Sequence, residues 1–386
     1  MKSILSVCAV RNQCSSFQRL KDLMHNASEN DSIGLRNCNA ELLLRENKVA
    51  TIIDARSESE FLKGHVPGSL NIPLLSDSER SIIGKCYKEK GRLSAIDLGF
   101  QLLHPKQDEL VERARSLLPK DGPQYVYCAR GGMRSHLLAW FLKEEVPTFD
   151  PLVVYGGYKS FRQFAISVFE TNPMDIVVIA GRTGSGKTKL LQELANDHQV
   201  LDLEEKAQHS GSAFGLAGWY QPQPSNEQFS NNLALQWLGF DSEKIVFIED
   251  EGRSVGHVQL PEPLFNKLRN AKLVIDLEVP LDVRIENLVQ VYAGATNVDD
   301  DFFIRAVDRI SKRLGNERSQ DAKKAILRKD YSDAARILLH YYDKKYTTHL
   351  MNNRSASQIV KVDWGSELVQ KVRNTYFSNS QRFSKS

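Results

Sequence analysis

Short apolar runs broken by glycine-rich turns set the pattern of this chain. Residues 50–54 (Ala-Thr-Ile-Ile-Asp) and 125–127 (Tyr-Val-Tyr) are apolar nearly throughout, as strands buried on both faces are. Around them lie helical stretches: a short one over residues 40–44, an amphipathic one over 107–118 and an apolar one over 135–142. Strands alternating with helices predict an α/β domain on a mainly parallel sheet. Asn172-Pro173 ends the preceding helix, and the alternation then resumes. Residues 176–180, 245–251 and 273–277 read as strands, and 189–195 and 281–292 as helices. Residues 1–38 keep no period and read as a frayed N-terminal extension; the alternative for residues 1–28, with four basic residues against Asp22, is a weak organellar transit segment.

Charge adds a third region to this picture. The net charge of +3 is modest. Yet residues 303–386 hold 18 Lys and Arg against 8 Asp and Glu, a net +10, so the rest of the chain carries −7. Such a segment suits either a polyanion, nucleic acid first, or a solvated helical surface. The 386 residues, 41% hydrophobic, allow two or three cores. No apolar run approaches the roughly 18–20 residues of a membrane span, so no membrane partner is expected. Five cysteines without a C-x-x-C pair argue against a disulfide or zinc scaffold. They point to a reducing, cytoplasmic compartment.

Two loops carry chemistry. Cys128-Ala129-Arg130-Gly131-Gly132-Met133-Arg134-Ser135 joins a strand to a helix. A helix N-terminus, turn N–H groups and two arginines favour a thiolate, the nucleophilic form, on Cys128; the alternative is a small core residue before a turn. Gly181-Arg182-Thr183-Gly184-Ser185-Gly186-Lys187-Thr188 fits G-x-x-x-x-G-K-T between a strand and a helix, the context of a phosphate-binding P-loop. Gly181, Gly184 and Gly186 let N–H groups close on phosphate, Lys187 adds charge, and Thr188 can ligate Mg²⁺. Further on, Glu249 or Asp250 can orient a metal-bound water, and Arg253 can clamp a phosphate. The polar loop after Asp202 is a candidate lid, with His209 and Ser212 as its contacts.

These motifs carry a resemblance. Asp54-x-Arg56, Glu60-Phe61, Gly64-His65-Val66-Pro67-Gly68 and Cys128 with Arg134-Ser135 resemble a rhodanese domain over about residues 40–165. Tyr155-Gly156-Gly157-Tyr158 would be its closing strand and turn. Rhodaneses carry sulfur on this cysteine. Here C-x5-R is one residue longer than the usual sulfurtransferase loop. It matches the spacing of cysteine phosphatases, although Tyr127 stands where those place histidine.

From about residue 40 to 350 the chain resembles the tRNA 2-selenouridine synthase family. The resemblance rests on Gly84-Lys85-Cys86-Tyr87-Lys88, the cysteine loop, Gly156-Gly157-Tyr158-Lys159 and the P-loop. Asp202-Leu203-Glu204, His209-x-Gly211-Ser212-Ala213-Phe214-Gly215, Glu249-Asp250-Glu251-x-Arg253 and Tyr341-Tyr342-Asp343 extend it. It departs at Glu205, Ser210 and Lys344, where the family often has Gly, Arg and Pro. The implied fold is α/β: a rhodanese-like parallel-sheet domain (39–170), a P-loop NTPase-like α/β domain (171–300) and a basic helical C-terminal region (301–386).

The implied activity is that of a transferase. It replaces the sulfur of a wobble 2-thiouridine by selenium from selenophosphate, by way of S-geranylation with geranyl diphosphate. Cys128 would take selenium as a selenylsulfide while Arg130 and Arg134 hold the phosphate. The P-loop would hold the diphosphate, with Mg²⁺. Lys312, Arg313, Lys323, Lys324, Arg328 and Lys329 would track the tRNA backbone. A selenophosphate-supplying enzyme is a further expected partner. A nucleotide-dependent tRNA sulfurtransferase uses the same residues, and a rhodanese-like cysteine phosphatase is the remaining alternative.

Overall fold

The chain's computed structural model describes residues 18–26, 34–117, 122–146, 148–352 and 354–383. It divides into two compact units, Met1–Ile166 and Ser167–Ser386.

In the first unit the strands are β1 (Arg36–Cys38), β2 (Thr51–Asp54), β3 (Leu70–Asn71), β4 (Gln124–Tyr127) and β5 (Leu152–Val154). They form one sheet in the order β1-β5-β4-β2-β3, every pairing parallel. Register sets Asp54 beside Tyr127 at the C-terminal ends of β2 and β4, so the cysteine loop leaves the edge where parallel sheets bind ligands. All residues of β2 and β4 are buried, which explains their unbroken apolar reading. Two capping boxes start helices here: Ser57 with Glu60 for Glu58–Lys63, and Ser76 with Glu79 for Asp77–Leu103. The second of these helices is broken at Gly91, whose φ of +83° no other residue adopts without strain.

The frayed reading of residues 1–38 fails in two places. Residues 18–26 are helical, with Leu20 and Met24 in the core, and β1 joins the sheet. Apolar positions at i and i+4 and a three-residue edge strand are too short to register as a period. The transit-segment reading of residues 1–28 falls largely on residues 1–17, outside the described residues.

The second unit is built on β6 (Ile176–Gly181), β7 (Gln199–Leu201), β8 (Val246–Glu249), β11 (Leu273–Glu278) and β12 (Ile359–Asp363). Their order is β12-β11-β6-β8-β7, again all parallel. Two short antiparallel strands, β9 (Ser254–Val255) and β10 (Val258–Gln259), form a separate ribbon. Val177, Ile179, Leu273 and Ile275 are fully buried; side chains of this size contribute about 1.5–3 kcal/mol each. Helices Asp300–Leu314, Asn316–Leu327 and Tyr331–Met351 pack around Phe303, Val307, Ala322 and Leu338. The basic C-terminal region is therefore largely helical, but it is not helical throughout. Its β12 returns to pair with β11 along five residues and completes the P-loop sheet.

Candidate functional site

Cys128 follows β4 and is 3% exposed. Beneath it lies a buried polar layer. Arg56 forks onto Asp54, with Nη2 2.6 Å from Oδ2, and donates to the Gly64 carbonyl at 2.7 Å. The same guanidinium stacks 3.8 Å over the Tyr158 ring. The Tyr127 hydroxyl accepts from Val66 N–H and lies 3.1 Å from Ser69 Oγ. Where phosphatases have a histidine, Tyr127 is thus structural.

The loop is braced by backbone. Tyr158 N–H donates to the Cys128 carbonyl at 2.8 Å and Lys159 N–H to the Ala129 carbonyl at 3.0 Å. Gly157 sits at φ +57°, and a Cβ there would fall 2.3 Å from the Cys128 carbonyl oxygen. The Gly156-Gly157-Tyr158-Lys159 run thus underpins the cysteine loop and opens the helix Gly157–Thr171, rather than closing the sheet.

Ser135 Oγ lies 3.3 Å from Cys128 Sγ and 3.0 Å from the Gly132 carbonyl; its single proton serves one at a time. Arg134 does not stand free beside the thiol. It forks onto Glu60 at 2.6 and 3.2 Å. Burial pushes the Glu60 carboxyl up, but the hydrogen bond and charge of Arg134, with Ser57, hold it down at about 2. Arg130 is exposed.

The P-loop leaves β6 and enters helix Lys187–Leu194. Gly184 and Gly186 have φ of +82° and +78°. The Lys187 ammonium donates to the Gly181 carbonyl at 3.1 Å. Arg284 and Asn287 donate to the Thr183 and Gly184 carbonyls at 3.3 and 2.9 Å, and Arg284 is itself forked onto Asp343. The loop borders a cavity of about 920 Å³ reached also by Glu204, Ser212 and Glu251.

Three carboxylates gather here. Ligand atoms of Glu204, Glu249 and Glu251 lie within 4.8 Å of one another. Thr188 Oγ1 donates to Glu204 at 3.2 Å, and Glu204 N–H donates to Glu249 Oε1 at 2.7 Å. Glu249 is fully buried and its Oε2 has no partner. Burial pushes all three carboxyls up; repulsion from Asp202 adds to it at Glu204 and repulsion from Glu204 at Glu249 and Glu251, the last reaching about 8. A buried, orphaned oxygen among crowded carboxylates fits a hard divalent cation.

Several expected contacts are not brought to the cradle. Asp250, between two of the carboxylates in sequence, points away. It is buried against Arg269 and Arg354, the latter bidentate at 2.8 and 2.8 Å. Arg253 lies over the Phe265 ring, 5.4 Å from its centre, and does not line the cavity. His209 is 8% exposed, packed against Gly215, and burial lowers it to about 4. It shapes the loop that carries Ser212 rather than facing a ligand. Of the six basic residues expected on tRNA, four meet carboxylates: Lys323 Asp308, Lys324 Asp321, Arg328 Asp333 and Lys329 Asp300. Arg313 reaches the Tyr341 hydroxyl at 3.5 Å. These pairs tie up four of the six side chains while leaving the net charge of the segment as counted.

Glu60, Glu204 and Glu251 stand in the motifs of the resemblance but carry no site role there. Glu251 had a further signal, since alternate residues leaving a strand share a face. That period joins Glu249 with Glu251 and turns Asp250 to the other side. Glu60 had only its place in the motif and its capping box.

A cysteine loop on a rhodanese-like sheet and a carboxylate-lined P-loop on a second parallel sheet define a two-domain transferase. The profile described as "Rhodanese-like domain" matches residues 39–164, and that described as "tRNA 2-selenouridine synthase AAA domain" matches 174–376. The tRNA 2-selenouridine synthase of Nitrosomonas europaea is 32% identical over 351 residues, covering 78% of this chain and 90% of that protein. Those of Pseudomonas fluorescens and Ectopseudomonas mendocina are 34% and 35% identical, each match covering 76% of this chain and 87% and 86% of theirs. The chain belongs to the tRNA 2-selenouridine synthase family.

Proposed function

We propose that the protein converts a wobble 2-thiouridine of tRNA to 2-selenouridine in two steps at two sites. One observation carries this reading: the chain holds two glycine-rich loops at the C-terminal ends of parallel strands, one with a thiol and one with a lysine beside three carboxylates.

The P-loop is assigned to S-geranylation. The 2-thiouridine sulfur attacks C1 of geranyl diphosphate, the S–C1 bond forms, the C1–O bond breaks, pyrophosphate leaves with the electron pair, and the N3 proton of the base passes to water. Lys187 and the loop N–H groups stabilise the charge growing on that leaving group. Thr188, Glu204, Glu249 and Glu251 would hold Mg²⁺, which supplies further charge neutralisation when bound.

The cysteine loop is assigned to selenophosphate. Attack by Cys128 Sγ on phosphorus forms an S–P bond, breaks the P–Se bond and frees selenide with no change of oxidation state. A selenylsulfide on Cys128 would instead require an oxidant, or phosphorus leaving with the electron pair. Attack on phosphorus also suits the C-x5-R spacing, which is that of phosphatases. Arg134 would exchange Glu60 for the phosphate, with Arg130 at the mouth. Selenide then displaces the geranyl thiolate from C2 of the base, and water hydrolyses the phosphocysteine.

The protein would act in the cytoplasm with tRNA bound through its basic helices, and could receive selenophosphate from the enzyme that makes it. The test is reconstitution with the purified full chain. The expected products are S-geranyl-2-thiouridine with geranyl diphosphate alone, and 2-selenouridine once selenophosphate is added. The P-loop also favours a second reading, nucleotide-dependent activation of the tRNA. Turnover of labelled ATP or GTP that depends on tRNA would select it.

A further inference from the structure

A second cavity lies in the P-loop unit. Its walls include Phe214, Phe303, Ala335 and Leu338, all buried, and its lining is almost wholly apolar. Four residues belong to both this cavity and the wide P-loop cavity: Thr183, Leu288, Tyr292 and Tyr342. The two therefore adjoin, with Thr183 of the phosphate loop at the junction.

Two hydroxyls near this cavity have partners outside it: Tyr342 accepts from Ala213 N–H at 3.2 Å and Tyr331 donates to Asp300 at 3.0 Å. Much of the wall is aromatic carbon: Phe214, Tyr292 and Phe303 stand with ring centres 5.9–6.3 Å apart. A nucleobase placed here would lose its hydrogen bonds to water without replacement. An isoprenoid chain would lose none, and apolar cavities of this kind take apolar ligands. The loop bearing Ser212 and Phe214 touches both compartments, so one loop reads head and tail of a single molecule.

We propose that this cavity seats the isoprenoid tail of an allylic diphosphate whose head lies on the P-loop, and that its depth sets the chain length accepted. The proposal rests on the reading of the P-loop as a geranyl diphosphate site. Ala335 is at the wall and small, so Ala335→Phe shortens the cavity; Leu338→Ala deepens it.

The experiment measures binding of geranyl diphosphate, farnesyl diphosphate, inorganic pyrophosphate and ATP to the full chain, and geranyl transfer to tRNA alongside. Wild type should bind geranyl diphosphate at least about tenfold more tightly than pyrophosphate. Ala335→Phe should remove that advantage while pyrophosphate binding persists. If that variant fails to fold, Leu338→Ala decides: its farnesyl-to-geranyl preference should rise at least about fivefold. The proposal is overturned if wild type binds both diphosphates as it binds pyrophosphate, if ATP binds more tightly than geranyl diphosphate, or if a folded variant leaves the chain-length preference unchanged. Tight, tail-dependent binding without transfer to tRNA would keep the cavity and reject the proposed function. Transfer that ignores both substitutions would keep the function and reject the cavity.

Discussion

Around Cys128 positive charge comes first and an acid answers it: Arg134 is forked onto Glu60, and the carboxyl is held low. Around Lys187 the order is reversed. Three carboxylates crowd together, their protons held tightly, and one oxygen has no partner. Both loops leave the C-terminal end of a parallel strand, and both use glycine where a side chain would collide. The difference lies in the charge each loop gathers. On the proposed reading, an anion at the cysteine loop must draw Arg134 from Glu60, and a cation at the P-loop must displace protons from its carboxyls.

The largest effect should come from removing the fixed charge of the P-loop. Lys187→Ala is expected to slow geranyl transfer about 10²–10³-fold, measured by single-turnover assay at saturating geranyl diphosphate. Selenation of tRNA already carrying S-geranyl-2-thiouridine should persist. Loss of both reactions would mean that one site serves both.

Next comes the cation. Glu251 keeps its proton up to about pH 8, and a cation must displace it. Mg²⁺ affinity should therefore rise with pH, about tenfold per unit below 8 for each proton displaced, and less steeply above once Glu251 has lost its own. Glu251→Gln should weaken binding about tenfold or more and flatten that dependence. Titration calorimetry in buffers of different ionisation enthalpy would detect the released proton. A pH-independent affinity in the unsubstituted protein contradicts the assignment.

The brace under the cysteine loop gives a smaller effect, on stability. Gly157→Ala introduces a Cβ 2.3 Å from the Cys128 carbonyl oxygen at a φ of +57°. It should cost about 1–3 kcal/mol, read as a lowered midpoint in urea. The pair Arg134–Glu60 adds a pH signature. Glu60 drops from 4.5 to about 2 on folding. A depressed carboxyl contributes stability that is complete above pH 4.5 and is lost as pH falls through about 2. Glu60→Gln should remove that part of the acid limb.

The smallest effect is expected at Lys323, already paired with Asp308. Lys323→Ala should change tRNA affinity less than about threefold, with a salt slope altered by less than about one. A larger change would mean that the ion pair opens for RNA.

Much of this was legible in the sequence. The two parallel sheets follow from buried apolar strands at 51–54, 124–127, 176–181 and 273–278, and the two loops follow from glycine spacing after a strand. The carboxylate cluster was half legible. Glu249 stood out as the end of a strand, but Glu204 comes from another element and only the fold brings it within reach. Asp250 misled because three acids in a row hide the alternation that turns the middle one inward to Arg269 and Arg354. The basic surface was legible only as a charge count: composition does not show that Asp300, Asp308, Asp321 and Asp333 lie where they meet four of the lysines and arginines.

The division of labour between the loops is tested most directly with Cys128→Ala, incubated with 2-thiouridine tRNA, geranyl diphosphate, Mg²⁺ and selenophosphate and followed by nucleoside mass spectrometry. Accumulation of S-geranyl-2-thiouridine with no 2-selenouridine is the expected result. Formation of 2-selenouridine at the rate of the unsubstituted protein would contradict it.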